Sequence, residues 1–233
     1  MAETGNPASP RVQRGAIVQL VEEIGIVVPN IIPFQYNPAK VTRNLKPWNP
    51  FEVDQTQRGA QAPMVQPYDP EETYQMALEL DATDELEDGD PVAQTSGVAW
   101  RIAQLKKLTE PTEGVFGDLI ASAQSLVGGG LATQASRPSV PIALLVLGPG
   151  LILPVRVTSI GIEVTELSTT LHPHMATVTL DLRVLTPEVF KCKSGPAIDI
   201  AVAAYRLTRL QEDALAVAGF AKGLSSVRSI LPF

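Results

Sequence analysis

The chain has 233 residues, enough for one large domain or two small ones, with 45% hydrophobic and only 5% aromatic side chains. A net charge of −7 and a pI near 4.9 set its surface against nucleic-acid phosphates and against docking on an anionic membrane. Cys192 is the only cysteine, so an intrachain disulfide and a thiolate metal cluster are both excluded, as suits a reducing cytoplasm.

Residues 1–14, with Pro7 and Pro10, read as a flexible N-terminal arm without the apolar stretch of a signal peptide. From Gly15 the pattern becomes β-like. Ala16–Val21 and the stretch from Ile26 to Tyr36 predict a hairpin about Glu22–Gly25. Pro29 and Pro33 cannot donate to a ladder, which places the returning strand at an edge or on a bulge. Asn37-Pro38 ends it, because a residue before proline is pushed out of helix and Asn favours turns. Phe34 is expected in the core, with Tyr36 on the same side. Gln35 points the other way and, with Asn37 and Pro38, is the candidate subunit-interface group.

Residues 46–72 carry five prolines and read as a long loop insertion. Tyr74–Ala82 alternates cleanly, with Met76, Leu78, Leu80 and Ala82 on the buried side. An acidic loop, Asp84–Asp90, follows. Asp90 then caps a helix opened by Pro91, carried by Val98, Ile102 and Leu105 and stopped by Pro111. A second insertion spans 114–137. Ile142–Leu147 and Leu151–Thr158 flank Gly148-Pro149-Gly150 as a hairpin, extended by Ile160, Ile162 and Val164. Ala176 to Val184 alternates as a half-buried strand. Pro196 opens a C-terminal helix whose apolar positions step by three or four to Val217, where Gly219 is its expected cap. The chain therefore reads as α+β, mainly β. Its β domain spans 15–190, and residues 191–233 form a C-terminal helix and tail. The longest apolar runs fall well short of the roughly 18 residues a membrane span requires.

No arrangement of residues carries convincing chemistry. His172-Pro173-His174 holds both histidines but has no local third ligand, so it reads as an exposed turn and not a metal site. The acidic run lacks the spacing of a calcium loop and reads as a solvated loop with helix-starting charge. Gly128–Gly130 has no following Lys-Ser/Thr, and no Gly-x-Ser-x-Gly elbow occurs. Cys192, between two lysines, reads as a lone surface thiol. The expectation is of a protein that is not an enzyme and has no catalytic residue, cofactor or metal.

Four segments share an order and spacing with a known family. They are Ile32-Pro33-Phe34-Gln35-Tyr36-Asn37-Pro38, then Leu78-Glu79-Leu80-Asp81-Ala82-Thr83-Asp84, then Leu153–Ser159 with Arg183–Pro187. Together they resemble the tube-initiator or spike-adaptor proteins of contractile injection systems, relatives of phage-tail baseplate tube proteins. The likeness covers roughly residues 15–45 and 74–190. It implies a tube-protein-like fold, a two-sheet sandwich or barrel with a packed helix. It also implies a homo-oligomeric sixfold ring between a trimeric spike and the inner-tube protein, touching other baseplate subunits. Neither nucleic acid nor membrane insertion is implied, and the particle would be assembled in the cytoplasm. Many relatives continue into a LysM-like module. Only 46 residues follow Pro187 here, without its pattern, so peptidoglycan binding is not carried over. Other readings of the same residues are an ordinary inner-tube subunit and a cell-wall-binding or cell-wall-hydrolysing part of the puncturing device.

Overall fold

The computed structural model describes residues 13–23, 26–49, 66, 68–110 and 140–230, with side chains in the last helix given to 220 and at 222. All but the last two residues of the expected 1–14 arm, most of the 46–72 insertion and the whole 114–137 insertion lie outside the described residues.

The chain opens with a hairpin, as its alternation requires. β1 (Ala16–Glu23) pairs antiparallel with β2 (Ile26–Pro33), from Ala16 opposite Pro33 to Glu23 opposite Ile26. β2 is an edge strand, where prolines can lack an N–H without breaking a ladder. β3 (Val41–Lys46) was not foreseen. Its sequence, VTRNLK, is polar and unpatterned, and it forms because it can pair with β4 (Glu71–Asp81) at the opposite edge. β4 begins three residues before the expected Tyr74 and buries Met76, Leu78 and Leu80 as the alternation predicts.

The acidic stretch is helical in part: α1 covers Thr83–Glu87. Asp90 then caps α2 (Pro91–Ser96), accepting from the backbone N–H groups of Val92 and Ala93. The single expected helix breaks at Gly97, and α3 runs from Ala99 to Lys107. The cause is tertiary. The Val98 N–H donates to Pro173 O, and a Cβ on Gly97 would lie 2.1 Å from that same oxygen. Gly97 sits at φ +56°, which glycine tolerates.

The second half supplies β5 (Ile142–Val146), β6 (Ile152–Leu167) and β7 (Pro173–Val184), then a 3₁₀ turn at Pro187–Phe190 and α4 (Pro196–Ile230). Gly219 does not end α4, which continues eleven residues beyond it.

All seven strands form one antiparallel sheet in the order β2-β1-β5-β6-β7-β4-β3. In a flat sheet β2 and β4 would stand about 24 Å apart, at five strand spacings. Instead Ile32 of β2 lines one small cavity with Leu78 and Leu80 of β4, so the sheet curls around its own inner face. The curl follows β6, whose ladder with β7 shifts register at Val157/Ser159 and again after Val164. One core fills the concave side, including Ile17, Phe34, Tyr74, Leu145, Leu153 and Leu180. α3 lies across the gap between the facing walls. Its Leu105 joins that core, and Gln19 donates to Lys107 O at 3.4 Å. The expected two-sheet sandwich or barrel is thus corrected: the facing walls belong to one open sheet, and β2 and β3 stay unjoined as its edges.

α4 docks through Ala197, Ala201, Tyr205 and Thr208, spaced four, four and three apart, with Tyr205 joining the main core. Ala197 and Ala201 pack with Leu20, Leu144 and Phe190 in a second cluster. The Thr208 hydroxyl donates to Ile152 O and accepts from Ile152 N–H, fixing the helix to the start of β6.

Candidate assembly surfaces and the charged clamp beneath the last helix

The Phe34–Pro38 turn is a clamp. Phe34 is 2% exposed, its N–H bonds Gly15 O, and Gly15 leaves it room: a Cβ there would stand 2.7 Å from the Phe34 ring. The Gln35 carboxamide donates to Asp81 O at 2.5 Å and accepts from Asp81 N–H at 3.0 Å, tying the end of β2 to the end of β4. Asn37 accepts from Gly15 N–H and donates to Gln13 O, holding the start of β1. Tyr36 does not share the core with Phe34: it is 41% exposed, with its hydroxyl on Asp84 at 3.4 Å. Burial, then the Asp84 and Asp81 charges, push its phenol above the usual value. Of the candidate interface residues, Gln35 and Asn37 thus have their polar groups engaged within the chain, and Pro38 is half-buried beside them.

The two histidines separate. His172 lies in the β6–β7 turn, its N–H on the Ser168 hydroxyl. His174 belongs to β7, with its ring 3.4 Å from the Thr83 hydroxyl, so it is not in a loop as expected. The acidic residues are also dispersed. Asp81 receives the Thr83 hydroxyl and N–H, which hold its carboxyl below the usual range. Glu85 pairs with Arg101 and Asp90 caps α2. Among the described residues no three His, Cys, Asp or Glu side chains assemble as a metal-binding group. Cys192 is exposed.

Sequence reasoning missed the most strongly coupled polar site. Glu72 is 2% exposed, yet it accepts from Arg43 at 2.5 Å and from Arg209 at 2.6 Å. The same two guanidiniums reach Glu212 at 2.6 and 2.7 Å, closing a ring of two cations and two anions across β3, β4 and α4. Arg43 also lies over the Tyr74 ring and Arg209 over the Tyr205 ring. Burial works against the Glu212 charge, but Arg43 and Arg209 outweigh it and hold its carboxyl below the ordinary value. Burial, with the Glu72 carboxylate alongside, raises the Tyr74 phenol. With every charge matched, the cluster fastens the helix to the sheet edge. The signal was present only as scattered charged residues far apart in sequence.

What remains open on the surface is backbone and apolar area. β2 exposes Ile26, Val28 and Ile31, and β3 exposes Val41 and Leu45. Beyond Val155, β6 pairs only with β7 among the described residues, which leaves a third free edge bearing Ile162, Val164 and Leu167 at 40–58% exposure. Among the described residues no helix is long and apolar enough to cross a membrane. Compared with models of known protein families the chain matches none, and no curated protein shows significant similarity to it.

Proposed function

We propose that this chain is a structural baseplate subunit of a contractile injection system, forming a ring that joins the spike to the inner tube and initiates tube assembly. The observation that carries the reading is the set of three strand edges, unpaired among the described residues, that bear exposed apolar side chains. Free N–H and C=O groups on such edges pair readily with another strand. Contact between different edges of neighbouring copies is head-to-tail, and it closes into a ring when the rotation is right. The order of the Ile32–Pro38, Leu78–Asp84, Leu153–Ser159 and Arg183–Pro187 segments supports a tube-like subunit with sixfold closure. The clamp role of Phe34–Pro38 moves the interface from Gln35 to the edges of β2, β3 and β6. The partners are further copies of the chain, the trimeric spike, the inner-tube protein and other baseplate subunits, brought together in the cytoplasm.

The test is native mass measurement of the chain assembled on its spike. Six copies of 24.9 kDa give a ring of about 150 kDa. Ile31→Lys, Leu45→Lys and Val164→Lys each place a charge on an exposed edge position, so the subunit should fold while the ring is lost. Rings that form equally well with all three variants would contradict the proposal.

A further inference from the structure

α4 has a second apolar face that the sheet does not cover. Ile200, Ala203, Leu207, Leu210, Ala214 and Val217 recur at alternating spacings of three and four, and all six are exposed, Leu210 at 65% and Val217 at 70%. Ala221 and Leu224 continue the same spacing in the sequence. At about 100° per residue this seam lies on the side of the helix opposite Ala197, Ala201, Tyr205 and Thr208, which face the sheet. From Asp213 to Phe220 every residue is exposed, so the helix runs past the body with its apolar seam uncovered. A sustained seam of this period is the signature of a helix that packs against another helix.

We propose that α4 pairs with the α4 of a second copy, antiparallel, in a two-fold dimer. Running the seam against itself in reverse sets Leu207 against Leu210 of the second copy, Ala203 against Ala214 and Ile200 against Val217. Large residues meet large ones and small meet small, and each contact occurs twice, as a two-fold interface demands. The same register brings exposed Arg206 beside exposed Asp213 of the second copy, again twice. A parallel pair would instead set Arg206 near Gln211 and Asp213 near Ala218, with no opposite charges to match. Because the sheet lies on the far side of each helix, the two bodies stay apart. All α4 helices of one sixfold ring point the same way about its axis, so this pairing belongs to the free chain and does not rest on the ring reading.

The experiment is sedimentation equilibrium of the purified full-length chain and three charge variants, with thermal melts to check folding. The wild type should run at twice 24.9 kDa. Arg206→Asp and Asp213→Arg each turn two attractions into two repulsions and should weaken the dimer roughly tenfold. The double variant R206D/D213R restores opposite charges and should recover the wild-type constant. Leu210→Asp should leave a folded monomer. A monomeric wild type overturns the proposal, as does a dimer indifferent to Leu210→Asp or not rescued by the double reversal. A six-copy species untouched by these variants would overturn it while leaving the ring intact.

Discussion

Both halves of the Gln35 carboxamide are bonded to the backbone of Asp81, so this side chain fastens two strand ends that the sheet itself never joins. Gln35→Ala leaves a partly buried N–H and C=O without partners and should cost about 1–3 kcal/mol in chemical denaturation. That reverses the expectation from alternation alone, under which Gln35 faced outward toward a neighbouring subunit. Phe34→Ala removes a ring 2% exposed and should cost about 3–5 kcal/mol. Glu72 is the other decisive residue. Glu72→Gln leaves Arg43 and Arg209 facing a neutral amide, and breaking a buried pair costs about 3–5 kcal/mol; the partly exposed guanidiniums place the loss toward the lower end. The Glu212 carboxyl is held below its ordinary value of 4.5, so its stabilising contribution is full above that pH and is lost as pH falls through the lower folded value. The melting temperature should therefore drop on acidification below about 4.5, and Glu212→Gln should flatten that part of the profile.

At the scale of elements, Gly97 decides where one helix becomes two. Gly97→Ala would drive a Cβ against Pro173 O at 2.1 Å with φ at +56°, so backbone must move. A loss above about 2 kcal/mol is expected, with the α3 amides first to lose hydrogen-exchange protection. The elements read correctly from sequence are those whose burial is local and periodic. β7 alternates through its length, and Asp90-Pro91 marks a helix start by its own chemistry. The missed elements depend on partners distant in the chain. VTRNLK becomes β3 only because β4 offers it a ladder, and Arg43 within it finds Glu72 and Glu212 from two other elements. The break at Gly97 needs Pro173, some seventy-six residues on. Gly219 looked like a cap, yet among the described residues nothing beyond its own helix turn crowds the position of a Cβ there, and the helix passes through.

For the whole molecule, alternation told that strands were half-buried but not that their buried faces belonged to one sheet bent back on itself. The bend rests on the register shifts in β6 and on the Gln35 and α3 contacts across the gap, none of which leaves a local pattern. The curl also leaves one side of β2, β3 and distal β6 unpaired among the described residues, which is the physical basis for proposing the chain as a building unit. Electron cryo-microscopy of intact contractile particles, with this subunit marked by a small tag, tests that reading most directly. The account predicts a single sixfold ring of the chain between spike and inner tube, with β2, β3 or β6 edges at each subunit contact. Finding the subunit along the tube, elsewhere in the particle or absent from it would contradict the account.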